Sequence, residues 1–171
     1  MSNIVVENGS IVSGANSYTT ISGIDSYAAD LGYSDWISAT ETNKVYSLFK
    51  GMRYIESFSF KGVRTTDGQS LSWPRAECYD KDGYLVEDDT IPSNLIKAVC
   101  EASIMCLPTS TVVLQPTITK DDYKSKVEIA GTITEEWDTN GRPLISRNNI
   151  INDLLQGYVK GRFVVDVYRG Q

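Results

Sequence analysis

The chain has 171 residues, 41% of them hydrophobic and 22% charged, with a formal charge of −6 and no histidine. This length and composition favour one globular domain with a sizeable hydrophobic core. The lack of histidine excludes Ser-His and Cys-His nucleophile pairs and zinc sites with imidazole ligands. The 16 basic residues are scattered singly, which disfavours free nucleic-acid binding, because gripping phosphates needs a surplus of Lys and Arg. The sequence shows no secretory signal and no apolar run of the roughly 18 residues that span a bilayer, so we expect a soluble, unexported protein with no membrane partner.

The polar stretch from residue 4 to residue 17 contains the turn dipeptide Asn8-Gly9 and predicts an arm or a short hairpin. A first helix is predicted from Ser22, where Asp25 completes a capping-box pattern, and Gly32 is its expected end.

A second helix is predicted from about Ala39 to Ser57 by an apolar stripe at helical spacing. The region from residue 61 to residue 91 is irregular, and Asp82-Gly83 between two apolar pairs predicts a small hairpin. The aspartates between residues 80 and 89 lack the spacing of an EF-hand loop, so we interpret them as turn residues rather than as a calcium site.

The clearest helix pattern runs from Pro92 to Leu107 and is apolar on most sides, which predicts that this helix lies at the centre of the fold. Lys97 and Glu101 lie on its narrow polar face at the spacing of an ion pair.

Strand patterns dominate the remainder of the chain. They predict a strand at 112–114, a strand from Lys126 to Trp137, a turn at 140–141, a short helix at 148–156 and a last strand at 163–167. Helices followed by strands favour the α+β class: a mainly helical body of three to four helices around the central helix 92–107, with a small β element and extended terminal arms. We expect a single domain, with an N-terminal arm at about 1–17 and a C-terminal arm at about 158–171.

No pattern of catalytic residues stands out. Neither a phosphate-binding glycine loop nor a dinucleotide-binding glycine motif occurs. The three cysteines, Cys78, Cys100 and Cys106, lack C-x-x-C spacing and are predicted to be reduced, buried thiols. We therefore expect no catalytic residue, no bound cofactor and no metal site.

Three segments stand out together. They are Asn16-Ser17-Tyr18 before the first helix, the run from Gln69 through Leu71 to Trp73-Pro74-Arg75, and Ile91-Pro92 at the start of the central helix. In this order and spacing they resemble the head-tail adaptor (head-completion) family of tailed phages, some members of which carry the name of DnaT-like single-stranded-DNA-binding proteins. The resemblance covers about residues 5–107 and, more loosely, the rest of the chain.

The resemblance implies a structural virion protein, made in the host cytoplasm and located at the head-tail interface. Members of the family form a homo-oligomeric ring, usually a dodecamer, that docks on the portal protein and presents a surface to a tail or nozzle protein. Packaged double-stranded DNA passes through the channel. A net negative charge suits such a channel because it does not trap phosphates.

We interpret the motif residues as structural anchors. In Trp73-Pro74 a large apolar ring precedes a residue with fixed φ, which pins an irregular segment to the core. Arg75 is expected either to bond backbone carbonyls left free at helix ends or to bridge to a neighbouring subunit. Asn16-Ser17-Tyr18 is expected to turn or cap the chain at the first helix.

The C-terminal arm has two expected fates. It either folds back on the Lys126–Trp137 strand or adds as a strand to the portal or a neighbouring subunit, and we favour the second. The residues expected at that interface are Phe163, Val165, Val167, Tyr168 and Arg169.

Two other functions remain open at this point. A single-stranded-DNA-binding protein needs aromatic residues interleaved with basic ones, and the nearest such set is Tyr54, Phe58, Phe60, Lys61 and Arg64. The second alternative is another virion ring component, such as a tail terminator.

Overall fold

The computed structural model describes residues 3–110, 114, 124–129, 133–137 and 149–160, with backbone alone for 124–129, 133–137 and 149. Its helices are α1 (Ile21–Leu31), α2 (Ser34–Ile37), α3 (Glu41–Glu56), α4 (Ser93–Met105) and α5 (Asn149–Leu154). Its strands are β1 (Val63–Arg64), β2 (Arg75–Ala76), β3 (Cys78–Tyr79), β4 (Leu85–Val86), β5 (Lys124–Ile129) and β6 (Ile133–Trp137). This order confirms the α+β class with a mainly helical body.

Helix α1 ends where predicted but has a different N-cap. The Oγ1 atom of Thr20 accepts a hydrogen bond from the backbone N–H of Gly23 at 3.0 Å, so the cap is Thr20 and not Ser22. The predicted capping box was wrong because the helix begins at Ile21, so its N-cap lies two residues before Ser22. Gly32 ends the helix with φ +76°, as expected for a left-handed C-terminal residue.

The predicted capping partner, Asp25, instead joins three helices. Its Oδ1 atom accepts hydrogen bonds from Trp36 Nε1 and Lys44 Nζ, each at 2.8 Å. The Lys44 ammonium also lies 5.8 Å from the centre of the Trp36 ring. The sequence did not predict the short helix α2, and this network places its buried Trp36 against α1 and α3.

Helices α3 and α4 form the centre of the fold, which confirms the predicted position of the central helix. They pack closely at Gly51, where an added Cβ would lie 2.7 Å from the backbone nitrogen of Ser103. Helix α4 also contacts α1 and α5, and its buried residues include Leu95, Ala98 and Val99.

The predicted ion pair between Lys97 and Glu101 does not form. Lys97 is exposed, whereas Glu101 is buried and accepts hydrogen bonds from Tyr27 Oη at 2.7 Å and from Tyr33 Oη at 3.1 Å. Burial, and next the hydrogen bond to Glu101, raise the pKa of Tyr27, so this phenol remains a donor. Helical spacing alone could not show that Tyr27 of α1 and Tyr33, the residue before α2, would reach this side of α4.

Three two-stranded antiparallel sheets form in the described residues. The predicted hairpin around Asp82-Gly83 is confirmed, with Cys78 opposite Val86 and Tyr79 opposite Leu85. The single strand predicted from Lys126 to Trp137 was wrong. The chain forms the hairpin β5–β6, in which Lys126 pairs with Glu136, because period-two alternation is the same in two paired strands as in one long strand.

The N-terminal segment forms a closed loop against the domain over residues 3–17. Within it, the backbone N–H of Glu7 donates to the carbonyl of Ser17 at 2.8 Å, which brings residues 7 and 17 together. The Glu7 carboxylate is buried and accepts backbone N–H groups from Gly9, Ile11 and Val12 at 2.8–3.0 Å. These bonds close the loop around a single side chain.

The end of the described chain also belongs to the domain body. After Gly157, which has φ +98°, the carbonyl of Tyr158 accepts the backbone N–H of Lys61 at 2.8 Å. Lys160 N donates to Ser59 O at 2.7 Å. A C-terminal arm can therefore begin only after Lys160, not at 158.

The expected strands at 112–114 and 163–167, the turn at 140–141 and the expected contacts of Phe163, Val165, Val167, Tyr168 and Arg169 lie outside the described residues, apart from Leu114.

Candidate functional site

The motif residue Tyr18 connects the loop before α1 to α3 and to the segment that precedes β2. Its Oη atom donates to Glu56 Oε1 at 2.5 Å and accepts the backbone N–H of Trp73 at 3.0 Å. The other carboxylate oxygen of Glu56 accepts the N–H of Ser72 at 3.0 Å. Burial, and then the Glu56 carboxylate, raise the pKa of Tyr18 far above its usual value, so the phenol stays protonated.

Trp73 is fully buried in an aromatic cluster. The rings of Phe60 and Tyr158 pack against it edge to face, with centroids at 5.9 and 5.6 Å. Gln69 stabilises the same segment, since its Nε2 atom donates to the carbonyls of Leu71 at 2.8 Å and Pro74 at 3.0 Å. The Trp73-Pro74 peptide bond, which is cis, therefore lies in the core and not on a contact surface.

Arg75 bonds backbone carbonyls within its own chain. Its Nε, Nη1 and Nη2 atoms donate to Lys61 O at 2.6 Å, Ser72 O at 3.0 Å and Gly62 O at 2.9 Å. The carbonyls belong to the loops that flank β1 and β2, not to helix ends. Three of the five N–H donors of the guanidinium are therefore used inside the subunit.

The remaining motif residues turn the chain before α1. Asn16 Oδ1 accepts the backbone N–H of Val5 at 2.9 Å, and Ser17 Oγ donates to the carbonyl of Thr19 at 2.7 Å. Asn16, Ser17, Tyr18 and Arg75 thus all form hydrogen bonds within their own chain.

The set of residues proposed for single-stranded DNA does not form one surface. Phe60 is buried against Trp73, whereas Lys61 and Arg64 are exposed. Tyr54 and Phe58 are half-buried and pack edge to face at 5.2 Å. A stacking platform needs its aromatic faces open, so this set is incomplete.

The outward side of α3 carries an exposed surface that the sequence patterns did not single out. Tyr46, Lys50 and Arg53 lie on one side of the helix at i, i+4 and i+7, and all three are exposed. Neither cation forms a salt bridge within the described residues, where Lys44–Asp25 is the single pair. The signal was present in the sequence, because these positions fall opposite the apolar stripe of the same helix. We refer to Tyr46, Lys50 and Arg53 as the basic helix face.

The chain segregates its charge more than its composition suggests. Residues 44–75 contain six Lys or Arg against two Asp or Glu, and residues 77–89 contain six Asp or Glu against one Lys. The second segment carries the hairpin β3–β4, on which Tyr79, Tyr84 and Leu85 are exposed. We refer to residues 77–89 as the acidic hairpin.

Residues 2–170 match the protein family described as "Putative DnaT-like ssDNA binding protein". The chain belongs to this family. The match agrees with the DnaT-like name in the resemblance seen from the sequence, and it gives no support to the head-tail adaptor reading. No curated protein and no solved structure matches the chain.

Two searches of the described residues gave negative results. In the described part of the chain, no group of Cys, Asp and Glu side chains is arranged to hold a metal ion. Among the same residues, no helix combines the length and the apolar character that crossing a bilayer requires.

Proposed function

We propose that this protein is a non-enzymatic adaptor of a tailed-phage particle, located at the head-tail interface. In this proposal it forms a homo-oligomeric ring, a dodecamer by the resemblance, that binds the portal protein on one side and a tail or nozzle protein on the other. Double-stranded DNA passes through the channel without specific contact. The mechanism is the burial of surface between subunits and partners, with no chemical step.

The observation that carries the proposal is that the motif side chains form bonds inside the subunit, whereas two oppositely charged areas are exposed. The motif residues Tyr18 and Arg75 form hydrogen bonds inside the subunit, Tyr18 with Glu56 of α3 and Arg75 with backbone carbonyls. What the surface offers instead is two exposed, aromatic-containing areas of opposite charge, the basic helix face and the acidic hairpin. Oppositely charged areas on one chain favour association between copies over binding to a polyanion.

Single-stranded DNA binding is the second candidate function, and the family description favours it directly. The basic helix face is the place where it would occur, because Lys50 and Arg53 accompany the exposed ring of Tyr46. Two phosphate contacts are few, however, and the formal charge of the chain is −6. We place this function second for that reason.

One pair of measurements separates the two candidates. Purified protein is added to portal-containing heads that lack it, and its sedimentation with the heads is measured. Binding of a labelled single-stranded oligonucleotide is followed by fluorescence anisotropy over a range of salt concentrations. The adaptor predicts stable addition to heads and weak oligonucleotide binding without sequence preference.

The opposite result would favour single-stranded DNA binding over the adaptor function. It consists of no addition to heads together with tight oligonucleotide binding that Lys50→Glu abolishes. Two phosphate contacts would give a salt slope of about −1.4. The control is Lys97→Glu, which reverses an exposed lysine on α4 and should leave both measurements unchanged.

The C-terminal contact is tested with a chain that ends after Lys160. A chain ending at Gly157 would also lose the ring of Tyr158, which packs against Trp73. A loss of stability could then not be distinguished from a loss of portal binding. If residues 161–171 join the portal, the shortened chain melts like the full chain but no longer adds to heads. Undiminished addition would mean that Phe163, Val165, Val167, Tyr168 and Arg169 are not the portal contact.

A further inference from the structure

The acidic hairpin exposes side chains that isolated domains normally cover. Tyr84 is 74% exposed, and Tyr79 and Leu85 are each about half exposed. Asp82 and Glu87, beside these rings, are also exposed and form no salt bridge within the described residues. With six carboxylates against the single Lys81, the hairpin is a surface of net negative charge with exposed apolar side chains, which is typical of a surface that binds a partner of opposite charge.

The basic helix face has the matching properties. Tyr46 is 61% exposed, and it lies one helical turn from Lys50 and two turns from Arg53. No carboxylate shares this side of α3, since Glu41 lies at the helix start and Glu56 is bonded to Tyr18. The helix therefore presents two cations around an aromatic ring, and the hairpin presents carboxylates around aromatic rings.

The two surfaces do not cover each other within one chain. The large exposed fractions of Tyr46 and Tyr84 show that neither ring is packed against the other surface of its own molecule. The partner that carries the complementary surface in every case is a second copy of this chain.

We propose that the acidic hairpin of one copy docks on the basic helix face of the next copy, in a head-to-tail contact. This inference rests on the proposed ring-forming function and assigns its subunit interface. A contact between two different surfaces leaves one of each free at the ends of a chain of copies, and it closes into a ring when the rotation per subunit allows. Like charges on both sides would prevent it, which makes the contact testable by charge reversal.

The test uses two double variants of the full chain. Lys50→Glu/Arg53→Glu reverses the basic helix face, and Asp82→Lys/Glu87→Lys reverses the hairpin. Asp80 is left intact because its carboxylate accepts the backbone N–H groups of Asp82 and Tyr84 and so shapes the turn. Each variant should self-associate about tenfold more weakly than the natural chain, or worse, by sedimentation velocity at low ionic strength.

The decisive sample is an equimolar mixture of the two variants. In the mixture, each reversed surface meets one of opposite charge on the other variant, so association should return to the level of the natural chain. Lys97→Glu and Asp30→Lys reverse one exposed charge of each sign outside both surfaces and should change nothing. Tyr84→Ser should weaken association without changing charge.

Several results would overturn the contact. Either double variant associating as well as the natural chain would do so, as would a mixture that stays monomeric.

The same samples are also added to portal-containing heads, where each variant alone should fail to add and the mixture should add. A natural chain that associates neither in solution nor on heads overturns the contact itself. If the natural chain adds to heads and both variants add equally well, the adaptor function stands and this interface is wrong. If the mixture associates in solution but no sample adds to heads, the interface stands and the adaptor function is wrong.

Discussion

Replacing Trp73 by alanine should destabilise the whole domain. The side chain is fully buried. It contacts the ring of Phe60, which follows α3, and the ring of Tyr158, which follows α5. Truncation removes both contacts and leaves a cavity in a closely packed core. Losing a buried Trp costs about 3–5 kcal/mol, a large part of the roughly 5–15 kcal/mol that stabilises a domain.

Trp73→Phe separates the contribution of the ring from that of the indole N–H. The Nε1 atom is buried and has no hydrogen-bond partner among the described residues, so replacing it by carbon loses no bond. The backbone bond from Trp73 N to Tyr18 Oη is retained in both variants. We therefore expect a cost of about 1–2 kcal/mol for Trp73→Phe, well below that of Trp73→Ala.

Thermal melting followed by circular dichroism measures both variants. For a chain of this size, 1 kcal/mol shifts the melting temperature by about 2–4 °C, so Trp73→Ala should lower it by roughly 6–20 °C. Tyr84→Ala, at an exposed position, is the control and should melt like the natural chain. The reasoning is refuted if Trp73→Ala melts within about 2 °C of the natural chain. Equal losses for the alanine and phenylalanine variants would also refute it.

Three other predictions concern packing, hydrogen bonding and thiol reactivity. Gly51→Ala should cost about 1–3 kcal/mol in urea unfolding, because its Cβ would lie 2.7 Å from Ser103 N, whereas Gly68→Ala, with nothing within 4 Å, should be neutral. Tyr18→Phe should cost about 2–4 kcal/mol, since it removes the donor to Glu56 and the acceptor of Trp73 N; a stability equal to that of Tyr84→Phe would contradict the role of this hydroxyl. With an aromatic disulfide reagent, the half-exposed Cys106 should react first in the native protein. The buried Cys78 and Cys100 should react only after unfolding, since burial raises the pKa of Cys100 to about 12; three equal rates would contradict this.

Local sequence patterns were sufficient to locate the main helices and their order. Apolar residues at helical spacing located α3 and α4 to within two residues, and the glycine after α1 located its end, because backbone periodicity and glycine conformation are local properties. The β3–β4 hairpin followed from its Asp-Gly turn for the same reason. The motif set also led to a family resemblance whose DnaT-like name the family match shares.

Long-range packing determines which polar side chains face inward and which surfaces stay exposed. Glu101 has the spacing of a surface ion pair, yet it is buried and bonded by the hydroxyls of Tyr27 in α1 and of Tyr33, the residue before α2. Asp25 has the spacing of a capping residue, yet it binds Trp36 and Lys44 from two later helices. The basic helix face became visible once the opposite side of α3 was seen to be covered by the core. In each case the partner is distant along the chain, so the burial of a polar group depends on long-range packing that local patterns do not encode.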